Sequence, residues 1–205
     1  MRKLAILGAS GHGKVVFDTA CQAGWDEVLY FDDAWPDMSV NGRWPVVGNT
    51  ESLLSQEWGI GGVIVAIGNN AIRLEKTLMF RNAGFTVVSL IHPRAYIAGD
   101  VIIKPGCVVF AGAVIQPGTE MGWAGIVNTG ASVDHDCILA DGVHVCPGAH
   151  LAGGVVVQDR VWIGIGATVN PGLILHENSI IGAGAVVVKP VEANAVMVGN
   201  PAKKL

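Results

Sequence analysis

Two hydrophobic rhythms divide this chain. From Ile91 to Val187 every sixth residue is aliphatic or methionine, running through Ile97, Ile103, Val109, Ile115, Met121 and Val127 without a break. About half of the residues are apolar, so chance would give so long a run on the order of once in 10⁵. Two positions before most steps the residue is small or β-branched (Val101, Cys107, Ala113, Thr119). Three positions after, glycine recurs (Gly106, Gly112, Gly118, Gly130). A helix of 3.6 residues per turn cannot keep every sixth residue on one face. Short strands joined by corners can, each hexad supplying two inward residues and a glycine-tolerant turn. Three hexads, about 18 residues, then close one triangular coil, and successive coils stack as parallel strands.

The first 90 residues alternate instead between strand and helix patterns. Lys3–Leu7 reads as a buried strand, and a glycine-rich turn, Gly8-Ala9-Ser10-Gly11-His12-Gly13, leads into a helix over Lys14–Ala23. Val28–Phe31 is a second strand, Pro45–Val47 a short extended segment and Glu51–Glu57 a short helix. Val63–Ile67 is a strand, Ala71–Ala83 a helix, and Thr86–Leu90 a strand feeding the repeat. This alternation predicts a parallel, doubly wound α/β sheet. The expected domains are 1–90 and 91–205, with the boundary near Ile91-His92-Pro93, where proline disfavours helix.

Composition narrows the function. The charge of −4 and the absence of a Lys/Arg run argue against nucleic acid as the main partner. No apolar run reaches membrane-spanning length, and Leu4–Leu7 is too short for a signal sequence, so the expected protein is soluble and cytoplasmic. Cys21, Cys107, Cys137 and Cys146 form no CxxC pair and read as small buried hydrophobes in a reducing compartment. Trp123, Trp162, Val109 and Ile115 suggest that one outer face is not left to solvent, and threefold self-association would bury it.

Several constellations can carry chemistry. The turn Ser10-Gly11-His12 opens a helix, where free N–H groups and the helix dipole suit phosphate. Its order is GxxGxG rather than GxGxxG, but Asp32 and Asp33 follow the second strand, and Gly68-Asn69-Asn70 follows another at the same sheet edge. Together they predict a nucleotide crevice. In the repeat, His135 falls at a corner and points outward beside Asp136, an acid able to raise imidazole basicity and fix its tautomer. Neighbouring side chains on an extended segment point apart, so that contact requires a turn, and a solvated corner histidine is the alternative. His144, with His150 and His176, raises the question of a shared zinc ion, but no His-x4-His pair exists and no metal is expected. Gly164, Ile165 and Ala183 line a groove whose backbone amides suit a pantetheine arm.

Taken together, these motifs resemble the hexapeptide acyltransferases of bacterial sugar biosynthesis, in the sialic acid O-acetyltransferase family. The nearest likeness is to the UDP-4-amino-sugar, bacillosamine-type N-acetyltransferases. The likeness covers almost the whole chain and rests on Gly8–Lys14, Phe31-Asp32-Asp33, Ala66–Asn70 with Arg73, Ile91-His92-Pro93, Asn128–Ala131, His135-Asp136-Cys137 and Gly199–Lys203. It implies a Rossmann-like N-terminal domain, a left-handed β-helix, a homotrimer with active sites between subunits, and acetyl-CoA as co-substrate. It implies His135 as catalytic base, Asp136 as its acidic partner and Asn128 as a positioning residue. His144 would contact acetyl-CoA, with Gly153, Ile165 and Ala183. Ser10, Gly11, His12, Asp32, Asp33 and Gly68 would hold the nucleotide sugar. Bacillosamine enzymes carry glutamate where this chain has Asp136, one methylene shorter.

The implied reaction is direct attack of the amine of a UDP-linked 4-amino-4,6-dideoxy sugar on the thioester, with the Gly153 or Gly154 amide as oxyanion donor. No cysteine is placed for a covalent intermediate, which predicts a ternary complex. O-acetylation of sialic acid or a related sugar, and a non-catalytic nucleotide-sugar-binding assembly, are the competing readings.

Overall fold

A computed structural model describes residues 2–55 and 57–205 and divides the chain into two compact units, one ending at His92 and the other spanning Pro93–Leu205. Residues 1 and 56, the latter inside the expected 51–57 helix, lie outside the described residues.

The first unit is an α/β sheet. Strands β1 (Lys3–Leu7), β2 (Glu27–Phe31), β3 (Val40–Asn41), β4 (Trp44–Gly48) and β5 (Gly62–Val65) lie in the order β3-β4-β2-β1-β5. All pairs are parallel except the β3–β4 hairpin. Helices α1 (Gly11–Gln22), α2 (Thr50–Ser55) and α3 (Asn70–Asn82) connect them. The central strands read as continuous apolar runs because both faces are covered: Leu4 to Leu7 and Val63 to Val65 are all buried.

Three local features differ from the sequence reading. Helix α1 starts at Gly11 rather than Lys14, so the glycine turn forms its first turn. Gly13 is bare because any Cβ there would strike the Gly8 carbonyl. The β3–β4 hairpin was not expected, although Asn41-Gly42, with Gly42 at φ 66°, is a strong hairpin signal. The expected strand 86–90 is reduced to one bridge, Val63 to Val87, and a two-residue strand, Leu90–Ile91, in which Ile91 is exposed rather than inward.

The second unit is a three-sided parallel β-helix. Its strands are two residues long and end on the hexad step, from Tyr96–Ile97 to Val186–Val187. They stack into three sheets in which Val114 pairs with Ser132, Glu120 with Ile138, and Ile126 with His144. Step residues and those two before them fill one continuous core, from Cys107 to Ala195. Proline takes the first corner position at 105, 117, 147 and 171, and a positive-φ residue takes the second. This is the pattern of a type II turn, in which proline presets φ and glycine avoids a Cβ clash. Four corners place Ala124, Asp136, Arg160 and Asn178 there instead, at φ 53° to 58°. Left-handed backbone costs roughly 1–2 kcal/mol for most residues and less for Asp and Asn. The last coil shortens, Ile180 pairing with Val196, and an antiparallel pair, Met197 to Lys204, follows it.

Val109 and Ile115, expected on an outer face, are step residues sealed in the core. The apolar side chains left exposed on one face are Ile102, Ile138 and Ile174, in one column. Cys107, Cys137 and Cys146 are buried, but Cys21 is exposed on α1. Among the described residues no helix is long and apolar enough to cross a membrane.

Because Leu151 is 2% exposed in the middle of the β-helix core, Leu151→Ala should cost about 2–5 kcal/mol. Its denaturant midpoint should fall with an unchanged slope, which equilibrium unfolding measures.

Candidate active site

The corner at His135 is built by backbone conformation. His135 occupies the first corner position and Asp136 the second, where ten other corners carry glycine. Asp136 adopts φ 57°, and this left-handed turn brings two consecutive side chains together. His135 Nδ1 lies 2.8 Å from Asp136 Oδ2, so aspartate reaches despite being shorter than glutamate. Nδ1 therefore donates, which leaves Nε2 as the free acceptor. The imidazole is 62% exposed. Its hydrogen bond to Asp136 holds its pKa above the usual 6.5, aided by the charge of Asp134.

The next coil lies directly against this ring. A Cβ on Gly153 would come within 2.5 Å of both Cε1 and Nε2 of His135. The two expected oxyanion donors now separate. Gly154 N–H is committed to the His135 carbonyl at 2.8 Å, which removes it as a candidate, whereas Gly153 N–H lies outside the backbone ladder.

The remaining residues expected in the helix gather elsewhere on the prism. Asn128 Oδ1 accepts the Thr129 N–H at 2.8 Å, which turns Nδ2 toward His144 Nε2 at 3.0 Å. His144 is only 5% exposed, on a flat face rather than a corner, and meets Trp162 edge-on with centroids 4.4 Å apart. Ile165 and Ala183 are exposed first-corner residues one coil apart, on the edge next to that face. Gly164 serves packing instead: its N–H bonds to Ile181, and a Cβ would strike the Ile181 carbonyl at 2.5 Å. Within one chain, then, His135, Asp136 and Gly153 share one edge, while Asn128, His144, Ile165 and Ala183 cluster around another. His150 and His176 are engaged by Ser132 and Gln158, and no metal-ligand group forms among the described residues.

In the first unit a cavity of about 290 Å³ opens at the carboxyl ends of β1, β2 and β5. It is lined by Gly8, Ser10, Asp32, Asp33, Gly68 and Ile72, among others. A second cavity, about 550 Å³, shares Asp33 and runs along Asn49, Thr50 and Leu54. Ser10 precedes α1 without capping it by its side chain, and nothing lies within 4 Å of where a Gly11 Cβ would be. The first turn of α1 is therefore open to an anion. By contrast, Asn69 caps α3 through Ile72 N–H.

The two acids differ. Asp32 accepts N–H groups from Ala9 and Ala34, at 2.7 and 2.9 Å, and so ties the glycine turn to the end of β2. Asp33 is bound to Thr50 N–H and Lys76 Nζ, both at 2.9 Å. Burial pushes its pKa up, but hydrogen bonds from Thr50 and Lys76 outweigh this and hold it below the usual range. Buried Arg73, which sequence reading placed only in a motif, secures the cavity rim by donating to the carbonyls of Ile67 and Gly68 at 3.0 and 3.1 Å. Burial, with the nearby Arg73 charge, lowers the His12 pKa to about 4.

Residues 3–79 match the PglD N-terminal domain, and residues 154–189 match the bacterial transferase hexapeptide of six repeats. The GDP-perosamine N-acetyltransferase of Escherichia coli O157:H7 is 31% identical over 100% of this chain and 97% of its own length. The acetyltransferase domain of PglB from Neisseria gonorrhoeae, solved with acetyl coenzyme A, is 42% identical with a TM-score of 0.94, covering 100% of this chain and 99% of its own. PerB from Caulobacter crescentus, solved with CoA and GDP-perosamine, is 37% identical with a TM-score of 0.93, covering 100% and 98%. The Rossmann-like domain and left-handed β-helix expected from sequence are thus the fold of this chain.

Histidine-selective NMR should find His12 neutral down to about pH 4 and His135 titrating above 6.5. In Asp136→Asn, which keeps the left-handed turn, the His135 midpoint should fall and the His12 midpoint stay put.

Proposed function

The chain belongs to the hexapeptide-repeat sugar N-acetyltransferases with a PglD-type N-terminal domain and is an acetyltransferase; from that premise we propose that it transfers acetyl from acetyl-CoA to the amine of a nucleotide-linked 4-amino-4,6-dideoxy sugar, with His135 as general base. The observation that carries this reading is the His135–Asp136 pair: an outward imidazole whose Nδ1 is held by a carboxylate and whose Nε2 is free to accept a proton.

An alkyl amine is mostly protonated near neutral pH, so the nucleophilic neutral form is scarce, and its attack on the thioester makes the remaining N–H acidic. Nε2 takes the proton as the C–N bond forms, the Gly153 N–H donates to the developing oxyanion, and the thiolate of CoA leaves. Cys146 and Cys137 are buried, which suits a ternary complex without an acyl-enzyme. The edge bearing His135 and the edge bearing Asn128, Ile165 and Ala183 are separate on one prism. A complete site therefore takes one edge from each of two neighbouring copies, in a homotrimer. In the first unit, phosphates sit at the first turn of α1, with His12 as a neutral hydrogen-bonding group near the sugar. The cytoplasm, where acetyl-CoA and nucleotide sugars are made, is the expected compartment.

The nucleotide has two readings. The resemblance to bacillosamine-type enzymes favours UDP. The whole-length likeness to GDP-perosamine enzymes favours GDP. Competition by UDP and GDP against an amino-sugar substrate decides between them, the true nucleotide inhibiting at lower concentration.

His135→Ala should lower kcat by ~10²–10⁴-fold with little change in KM, measured by thiol release; full activity in that variant would remove His135 as the base. The base must be neutral to act, so kcat/KM should fall as pH drops through the raised His135 pKa. Asp136→Asn should move that acid limb to lower pH. Sedimentation should give three times the 21.3 kDa chain mass.

A further inference from the structure

The first corner position recurs along the prism as Pro105, Ala111, Pro117, Trp123, Thr129, His135, Asp141, Pro147, Gly153, Asp159, Ile165, Pro171, Glu177 and Ala183. Among these fourteen only residue 153 is glycine; Gly99, at the equivalent place in the first coil, has nothing within 4 Å of where a Cβ would be and is not followed by a left-handed residue. Positive φ does not explain it, because Gly153 is not among the left-handed residues; the second-corner residue, Gly154 at φ 69°, is. A proline or any other side chain suits such a position in a type II turn. Packing within the backbone does not explain it either. The three atoms nearest to a Cβ at 153 all belong to the His135 ring: Cε1 and Nε2 at 2.5 Å and Cδ2 at 3.1 Å. Such approaches are far inside van der Waals contact.

Asp136 is seated in the same way on the opposite side. A Cβ on Gly118, one coil away, would lie 2.5 Å from Asp136 Oδ1. Gly118 has φ 72°, so its own left-handed turn already favours glycine whatever lies above it. Gly153 has no such second reason.

We propose that Gly153 is a positioning residue: its bare Cα is the seat on which the His135 imidazole rests, and it sets the ring plane that lets Nδ1 meet Asp136 and leaves Nε2 as the acceptor. The consequence for catalysis rests on His135 being the base. With a methyl group at 153 the ring must rotate or lift, and the 2.8 Å bond to Asp136 is lost. The charged groups facing the ring are Asp136 and Asp134 on its own segment, and the neighbouring coil presents the uncharged Gly153. Loss of the Asp136 bond therefore shows directly in the titration of the ring.

The test uses the intact full-length protein and four forms: unaltered, Gly153→Ala, His135→Ala and the double variant. In Gly153→Ala the His135 midpoint, read by histidine-selective NMR, should fall toward 6.5. Its kcat should fall at least tenfold, with KM for acetyl-CoA and for the sugar nucleotide within about threefold. The backbone N–H at 153 survives this change, so loss of an oxyanion donor does not account for the effect. In the His135→Ala background the same substitution should leave Tm unchanged or slightly higher, since alanine fits this backbone and restricts the unfolded chain. An unmoved His135 midpoint in Gly153→Ala, or failure of Gly153→Ala to fold when His135 is already alanine, would overturn the proposal. Failure of the base assignment gives a different pattern: His135→Ala stays fully active while the Gly153→Ala titration still shifts.

Discussion

Everything in the second unit before its shortened last coil depends on closing one coil after another in 18 residues. That closure puts residue i above residue i+18 and aligns their amides and carbonyls. Successive strands pair at this offset from Tyr96 with Val114 to Thr168 with Val186. Side chains obey it as well. Ser132 meets His150, Gln158 meets His176, Arg160 meets Asn178, and the Asp141 N–H reaches Asp159. The contact of His135 with Gly153 is another instance. A stacked ladder has little lateral freedom, so a side chain at a corner is positioned by the coils on either side of it. This is a rigid way to hold a reactive group without burying it.

Exposure shapes how the His135–Asp136 pair works. Both side chains are more than half exposed, and ion pairs of that kind contribute little to stability. The pair instead fixes a tautomer and a direction. His12, singled out in the first unit, shows the opposite treatment. His12 is half-buried near Arg73 and stays neutral through the physiological range, whereas His135 is tuned upward. One is suited to hydrogen-bond a ligand, the other to take up a proton, and environment alone separates them.

Much of this was legible because a hexad repeat repeats its physics. The step residues, their inward neighbours and the glycine corners follow from periodicity, and the three-sided prism follows from them. What escaped were features that depend on tertiary partners or on breaks in the pattern. Ile91 fits the step but precedes the first full coil and is exposed. Val109 and Ile115 occupy step positions, and the step alone makes them core. The closeness of His135 and Asp136 looked doubtful because successive side chains diverge on a strand. Counting hexads places Asp136 at the left-handed corner and would have resolved it. In the first unit, Asp33 looked free for ligand, yet Lys76, 43 residues away, occupies one of its oxygens. No local pattern encodes that. Gly154 likewise looked as available as Gly153 until the ladder claimed its N–H.

The central claim is that the seated imidazole takes the proton from the attacking amine. The most direct test is a crystal structure of the protein with CoA and an amino-sugar nucleotide bound together. The account predicts His135 Nε2 within about 3 Å of the sugar amine, with the CoA sulfur beside it and residues of a second copy completing the site. An amine held beyond hydrogen-bond reach of His135, or facing another base, would contradict it.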